Sequence, residues 1–244
     1  MKKIALTLTL SCFFAAGLMA QITDPKATEV WDPVPRKITP GKNGAAPSDA
    51  IVLFDGSNLN AWETQRGGNP APWKVENGYM EVVPRSGGIQ TKQKFEDYQL
   101  HIEWSAPTVI VGEGQERGNS GVFMQGIYEV QILDSYESKT YSNGQAASIY
   151  KQSMPLVNAT VAPGDWNVYD IIYKAPRFNA DGIKVADGTI TVIHNGVVVQ
   201  NHYHIKGTTP YIGLPTNEAH GPGPISLQDH GNPMKFRNIW IREL

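Results

Sequence analysis

Short segments in which apolar and polar residues alternate recur from residue 51 to the end of the chain, and they constrain its fold more than any other feature. Residues 98–104 read Tyr-Gln-Leu-His-Ile-Glu-Trp, which puts apolar side chains on one face of a strand and polar ones on the other. An Asn-Gly pair at residues 195–196 joins two further apolar runs and is a strong hairpin signal. Roughly a dozen such segments, with no long stretch of helical periodicity, predict an all-β sandwich or barrel.

The N-terminus has the pattern of an export signal. Lys2 and Lys3 precede an apolar run that extends to about Leu18, and Ala20 provides a small residue for cleavage. The run is short and interrupted by Ser and Thr, so it does not predict a membrane span. We therefore expect residues 1–20 to be a signal peptide, and the mature protein to be periplasmic, at the cell surface or secreted.

Two further segments follow the predicted signal. Residues 21–48 are rich in Pro and Gly and lack a periodic apolar pattern, which predicts an extended N-terminal arm. Residues 49–244 carry all the predicted strands, and a segment of this length is typical of one large β-domain. The many Gly and Pro residues of the chain, 24 and 17, agree with a fold that contains many turns.

Cysteine content and charge exclude several classes of function. The only cysteine, Cys12, lies inside the predicted signal, so the mature domain has no disulfide and no thiolate nucleophile. The formal net charge is −2 and no basic run occurs, which argues against nucleic acid and anionic membranes as partners. In contrast, the polar strand faces are rich in amides, carboxylates and histidines, a composition suited to the paired donors and acceptors of a carbohydrate.

A set of motifs in fixed order resembles the 3-keto-disaccharide hydrolase family. The longest is residues 118–136, GNSGVFMQGIYEVQILDSY. Shorter matching motifs lie at residues 53–57, 148–151, 164–167, 192–196, 223–231 and 236–240. The resemblance extends over about residues 50–244. It implies a concanavalin A-like jelly roll, that is, a β-sandwich of two curved antiparallel sheets, and cleavage of 3-keto-glycosides or 3-keto-disaccharides.

Three residues are candidates for the chemistry that this resemblance implies. A ketone at C3 acidifies the hydrogen on C2, so a general base can start elimination of the group at C1, and water can then add to give net hydrolysis. Glu129 and His230 are candidates for the acid–base work, since histidine titrates near neutral pH. Lys151 offers an ammonium group for the enolate oxygen on C3.

Further polar and aromatic residues are candidates for substrate binding. Gln131 shares a strand face with Glu129, and a bulge would bring Asp134 to the same face. The whole predicted set is Trp73, Glu103, Asn119, Gln125, Gln131, Asp134, Tyr136 and Gln228. His202 and His204 have the alternate spacing of a metal pair, but no third ligand follows at a diagnostic spacing. We predict no metal and no cofactor.

Two other functions remain open at this point. The same fold serves non-catalytic carbohydrate-binding, lectin-like domains, because a fold does not determine a function. A retaining, laminarinase-like glycosidase would use Glu129 and Asp134 as its two carboxyl groups, which must lie about 5–5.5 Å apart. The sequence leaves open the aglycone, the anomeric preference, the choice between hydrolase and lyase, and the oligomeric state.

Overall fold

The structure is a computed structural model that describes residues 22–244. The chain divides at Lys37 into two compact units. In the first, residues 22–37 contain one short 3-10 helix, Pro25–Thr28. The second unit, Ile38–Leu244, contains every strand of the described residues and two more 3-10 helices, Gly114–Glu116 and Ser142–Gly144. The predicted signal peptide lies outside the described residues, and the predicted arm and domain boundaries remain predictions.

Fifteen strands are present in residues 22–244. In chain order they are β1 Ile51–Phe54, β2 Trp62–Thr64, β3 Lys74–Glu76, β4 Tyr79–Glu81, β5 Ile89–Thr91, β6 Tyr98–Ser105, β7 Asn119–Met124, β8 Tyr128–Leu133, β9 Asn167–Lys174, β10 Arg177–Phe178, β11 Lys184–Ala186, β12 Thr189–His194, β13 Val197–His204, β14 Ser226–Leu227 and β15 Lys235–Glu243.

The strands form two large antiparallel sheets and a small ribbon. One sheet has eight strands in the order β13-β12-β9-β6-β15-β4-β3, with β1 also paired to β15. The other has five strands in the order β2-β5-β14-β7-β8, and β10 pairs with β11. The predicted hairpin at Asn195-Gly196 is the β12–β13 connection, where both residues have positive φ. The prediction of an all-β antiparallel sandwich is confirmed.

Aromatic side chains from both sheets fill the core. Trp104 and Tyr169, on neighbouring strands of the eight-stranded sheet, pack edge to face with ring centroids 5.5 Å apart. The Tyr169 hydroxyl donates to the Gln131 carbonyl of the five-stranded sheet at 2.8 Å, and the Tyr128 ring of that sheet lies 6.3 Å from Tyr173. These contacts hold the inner faces of the two sheets together and leave one outer face on each side.

Two cross-strand rows cover the outer face of the five-stranded sheet. The paired residues of the first row are Glu63, Gln90, Ser226, Phe123 and Glu129. Two residues away in each segment, and one residue beyond the ends of β2, β5 and β14, the register gives a second row. We call it the amide row: Gln65, Gly88, Gln228, Gly121 and Gln131. The residues between the two rows, such as Ile89, Val122 and Val130, are fully buried in the core. A polar face over an apolar one is what strand alternation produces.

Candidate active site

A cavity of about 260 Å³ lies over β7 and β8 on the outer face of the five-stranded sheet. Polar and aromatic side chains from distant parts of the chain line it: Gln115, Asn119, Phe123, Glu129, Gln131, Tyr150, Thr209, Tyr211, Gln228 and His230. Five of these residues, Asn119, Glu129, Gln131, Gln228 and His230, are among the site residues predicted from the sequence. The structure therefore brings together predicted residues from positions 119 to 230.

Glu129 is a buried carboxyl group at this cavity. It is 5% exposed, and its carboxylate has no hydrogen-bond or ion-pair partner within residues 22–244. Room for the carboxylate comes from Gly121 on β7, since a Cβ at that position would clash with the Glu129 carboxylate. Burial disfavours the charged form and raises the pKa of Glu129 to about 8. Such a carboxyl can accept or donate a proton close to neutral pH.

Side-chain amides form the part of the wall beside Glu129. The Gln131 Nε2 donates to the Gln115 Oε1 at 3.0 Å, and the Asn119 Nδ2 donates to the Gln115 backbone carbonyl at 2.7 Å. These bonds fix the orientation of both amides. The Gln131 Oε1 is buried and has no partner among the described residues. An unsatisfied buried acceptor next to a cavity suits the hydroxyl of a bound sugar.

Tyr150 is a cavity residue that the sequence analysis missed. Its hydroxyl lies 2.7 Å from that of Tyr141, and its backbone N–H donates to the Glu129 carbonyl at 3.1 Å. Burial raises the pKa of Tyr150 far above neutrality, so the phenol stays protonated. It lies in an irregular segment that hydrogen-bonds along the edge of β8. No strand alternation marks such a segment. The only sequence signal that could have identified Tyr150 as a site residue was its place in the motif at residues 148–151.

Lys151 is not among the residues that line the cavity, but it contacts two residues that are, Tyr150 and Tyr211. Its backbone has φ of 56°, and its Nζ donates to the Tyr211 carbonyl at 2.5 Å. The same ammonium lies 4.3 Å from the centroid of the Tyr211 ring and 5.7 Å from that of Tyr150, both of which line the cavity. Cation–π contacts of this kind keep a lysine charge beside aromatic walls. Lys151 thus joins the loop that carries Tyr211 to the segment that carries Tyr150.

His230 and Gln228 line the cavity from its other side. The strand β14 ends at Leu227, so the predicted strand alternation does not extend to His230, although both side chains reach the same cavity. The carboxylate of Asp229 holds this segment. It accepts from the backbone N–H of Gly231 at 2.8 Å and from that of Gly87 at 2.9 Å. The His230 side chain is exposed, and a bound sugar can contact it.

Two of the predicted acidic residues do not line the cavity. Glu103 lies on β6 in the eight-stranded sheet, where its carboxylate accepts from Arg237 at 2.6 Å and from Asn238 at 2.8 Å. Asp134 is buried just after β8, and its Oδ2 accepts from the Arg117 Nε at 2.8 Å. Because Arg117 neutralises Asp134 outside the cavity, the two-carboxyl arrangement of a laminarinase-like glycosidase does not form around Glu129.

Three other predicted binding residues also lie elsewhere. Trp73 is 4% exposed and stacks on Phe236 at 5.7 Å, so it is a core residue and not a sugar platform. Gln125 is buried and uses its amide to accept from the Tyr173 hydroxyl at 2.6 Å and to donate to the backbone at residue 221. Tyr136 is 38% exposed but follows the buried Asp134 outside the cavity.

No cluster of three or more His, Cys, Asp or Glu side chains within residues 22–244 is arranged to hold a metal ion. The His202 and His204 rings lie 5.4 Å apart at the surface. None of the helices in the same residues has the length and apolar character needed to cross a membrane.

The antiparallel sandwich and the amide-lined cavity with its buried carboxyl define a carbohydrate-active protein of the glycosyl hydrolase-like class. The model of the 3-keto-alpha-glucoside-1,2-lyase-like domain matches residues 49–242. This match spans well over half of the sequence, so the chain belongs to that family, as the motifs predicted.

Relatives and solved structures agree with this assignment. A protein of Bacteroides thetaiotaomicron named 3-keto-disaccharide hydrolase is 26% identical, over 81% of this chain and 80% of its own length. The crystal structure of a candidate glycosyl hydrolase from Parabacteroides distasonis is 58% identical, with a TM-score of 0.87, covering 91% of this chain and 97% of that one. A second such protein from the same organism is 26% identical, with a TM-score of 0.56, over 80% and 99% of the two chains.

Proposed function

We propose that this protein cleaves 3-keto-glucosides by abstraction of the C2 proton and elimination of the group at C1. The observation that carries this proposal is Glu129, a carboxyl group without a partner in the described residues, buried in a cavity of about 260 Å³ with a pKa of about 8. A general base is most effective when its pKa lies near the operating pH. Glu129 meets that condition, whereas an ordinary exposed glutamate is too weak a base.

The first step moves a proton from carbon to oxygen. The Glu129 carboxylate takes the hydrogen from C2, and the electron pair of the C2–H bond passes into the C3 carbonyl to give an enolate. The Tyr150 phenol donates a hydrogen bond to the enolate oxygen, which leaves its own oxygen to accept from the Tyr141 hydroxyl 2.7 Å away. Preorganised donors of this kind stabilise charge that develops in the transition state. Lys151, beside the Tyr150 ring, adds a positive charge on the same side.

The second step breaks the glycosidic bond. The enolate electrons return to form the C1=C2 double bond, and the aglycone oxygen leaves C1 with its bonding pair. His230 at the opposite wall protonates that oxygen, so the products are an unsaturated 3-keto sugar and an alcohol. Water then adds its hydroxyl to C1 and a proton to C2, and the overall result is hydrolysis. The name of the Bacteroides relative supports the hydrolytic outcome, and the family description supports the lyase half of the reaction.

The amide wall accounts for recognition of the sugar. Gln131 and Asn119 are oriented by Gln115, and the Gln131 Oε1 is left to accept from a sugar hydroxyl. Gln228 contacts the same sugar from the opposite side. We also place the reaction outside the cytoplasm, because residues 1–20 have the pattern of an export signal. N-terminal sequencing of the mature protein is expected to begin at Gln21.

The test compares oxidised and unoxidised sugars. Purified protein is incubated in D₂O with a 3-keto-glucoside, with the parent glucoside as a control, between pH 5 and pH 9. We expect the 3-keto compound alone to be consumed, with deuterium at C2 of the sugar product. Cleavage without deuterium at C2 would indicate direct displacement. Binding of both sugars without any turnover would make the protein a lectin and overturn the proposal.

A further inference from the structure

A second hollow lies on the same outer face, two strands away from the cavity that contains Glu129. Its volume is about 330 Å³, and its lining includes Gln65, Arg66, Asn69, Ser86 and Gly88. These residues come from the end of β2 and the start of β5, whereas the first cavity lies over β7 and β8. The chemistry proposed above uses none of them.

The two hollows are formed by the same cross-strand row. In the amide row a glycine lies on each side of Gln228, Gly88 on the β5 side and Gly121 on β7. The Gln65 N–H donates to the Gly88 carbonyl at 3.2 Å, and the Gln228 N–H donates to the Gly121 carbonyl at 3.0 Å. Each glycine leaves space that a polar side chain enters. A Cβ at Gly121 would clash with the Glu129 carboxylate, and a Cβ at Gly88 would lie 2.5 Å from the Gln65 Oε1.

The segment that carries His230 forms the boundary between the hollows. Gln228 and His230 line the first cavity, and the carboxylate of Asp229 accepts from the N–H of Gly87, a residue of the second hollow, at 2.9 Å. Adjacent strands lie about 4.8 Å apart, so Gly121 and Gly88 are separated by about 10 Å. That separation is comparable with the length of two linked pyranose rings.

The second hollow offers the hydrogen-bonding groups that a neutral sugar requires. Gln65 and Asn69 contribute amides, and Arg66 contributes a guanidinium without an ion-pair partner within residues 22–244. The Ser86 hydroxyl oxygen is buried and unpartnered in the described part of the chain. Sugar hydroxyl groups both donate and accept, so a wall of amides, hydroxyl and guanidinium is complementary to them.

We propose that the second hollow is the aglycone subsite and takes the second pyranose ring of a disaccharide or longer glycoside. The assignment rests on the proposed function, because that function places the oxidised ring over Glu129. With the two rings on either side of the segment 228–230, the glycosidic oxygen lies beside His230. This position explains how His230 can protonate the leaving oxygen while Glu129 acts on C2.

The test uses two substrates that differ only in the aglycone, a 3-keto-disaccharide and the methyl 3-keto-glucoside of the same anomeric configuration. Gln65→Ala and Arg66→Ala are compared with wild type, and with Gln93→Ala as an exposed glutamine outside both hollows. Gln65→Ala and Arg66→Ala are each expected to lower kcat/KM for the disaccharide about three- to tenfold, the effect of one or two lost hydrogen bonds. The same variants are expected to change kcat/KM for the methyl glucoside less than about twofold. Gln93→Ala is expected to match wild type on both.

Equal losses on the two substrates, or no loss on the disaccharide, would overturn the subsite. A second measurement separates this result from failure of the proposed function. If wild type cleaves neither substrate, calorimetry with the unoxidised disaccharide and methyl glucoside still tests the subsite. The subsite proposal requires that wild type bind the disaccharide more tightly than the methyl glucoside and that Arg66→Ala remove this difference in affinity. Equal binding of both ligands by wild type would refute it.

Discussion

The outer faces of the two sheets each carry a buried glutamate on a strand, and the two carboxyl groups differ in their partners. On the eight-stranded sheet, Glu103 is 9% exposed and accepts hydrogen bonds from Arg237 and Asn238. On the five-stranded sheet, Glu129 is 5% exposed and has no side-chain partner in residues 22–244. Burial raises the pKa of Glu129. At Glu103 burial acts in the same direction, but the hydrogen bonds from Asn238 and Arg237, together with nearby positive charge, outweigh it, and the pKa of Glu103 is lowered.

Glu103 and Glu129 differ in their partners and not in residue type or burial, so an internally bonded face is distinguished from one whose buried carboxyl has no partner in residues 22–244. The eight-stranded face is also rich in polar groups, with His101 2.7 Å from Asp170 and stacked on Trp240. Those groups bond to one another, and the Gly44 carbonyl accepts from Asn238 and from the Trp240 indole. A face whose donors and acceptors are satisfied internally stabilises the fold and has little left for a ligand.

The largest effect is expected from replacing each glutamate by glutamine in turn. Glu129→Gln is expected to lower kcat/KM for a 3-keto-glucoside by about 10²–10⁴-fold, because an amide cannot accept the C2 proton. Glu103→Gln keeps the shape of its side chain and is expected to leave kcat within about threefold of wild type, since it lies away from the cavity. Steady-state kinetics on both variants measures the contrast. Similar losses in the two variants would contradict the distinction between the two faces.

The pH dependence of stability is expected to have opposite signs at the two glutamates. Glu129 has a pKa of about 8 in the folded protein and about 4.5 when unfolded. Between these values the unfolded chain has lost a proton that the folded protein keeps, so stability falls as the pH rises. Glu129→Gln removes this loss and is expected to be more stable than wild type at pH 8, by on the order of a few kcal/mol.

Glu103 provides the control for that measurement. Its folded pKa is lowered, so its contribution to stability is present above the unfolded pKa of about 4.5 and is lost as the pH falls through the folded value. Glu103→Gln is therefore expected to destabilise the protein at pH 7 and to approach wild type in acid. Urea unfolding of both variants from pH 4 to pH 9 gives the two profiles. A Glu129→Gln profile parallel to that of wild type would refute the raised pKa.

Much of the fold could be predicted because the sequence signals of strands and turns come from residues that are neighbours in the chain. The alternation of residues 98–104 and the Asn-Gly turn at 195–196 are each set by neighbours in the chain, and both lie where predicted. Alternation did not reveal that both faces of β6 are buried. The polar face is covered by a segment some sixty residues earlier in the chain, and this covering depends on tertiary contacts such as those of Gly44.

In the candidate site, strand alternation predicted the residues on β8, whereas His230 was predicted although it lies beyond the end of β14. Glu129 and Gln131 share a face of β8 by alternation, and both line the cavity. Tyr150 was not predicted as a site residue because its segment is hydrogen-bonded to the edge of β8 without regular strand pairing. Glu103 was predicted to bind substrate, since nothing local indicates that Arg237, 134 residues away, pairs with it. Partners distant in sequence cannot be read from a strand pattern.

The glycine beneath Glu129 gives a smaller and purely steric test. Gly121→Ala adds a methyl group where the Glu129 carboxylate lies and leaves every charge unchanged. We expect kcat/KM to fall about ten- to a hundredfold, because a displacement of about 1 Å at a catalytic group is costly. Gly221→Ala is the matched control, since its Cβ would meet nothing within 4 Å. If Gly121→Ala keeps full activity, the position of the carboxylate over that glycine is irrelevant to the reaction.

The smallest effect is expected at Lys151, and it again contrasts the two sheets. Lys151 lies 4.3 Å from the centre of the Tyr211 ring at the cavity rim, and Lys235 lies 4.6 Å from that of Tyr79 on the eight-stranded sheet. Lys151→Met is expected to lower kcat/KM about tenfold through loss of a charge near the enolate, and Lys151→Arg less than about threefold. Lys235→Met removes a matched cation–π contact and should not change activity. Equal losses in Lys151→Met and Lys151→Arg would show that the fit of the ammonium against Tyr211, and not its charge, supports turnover.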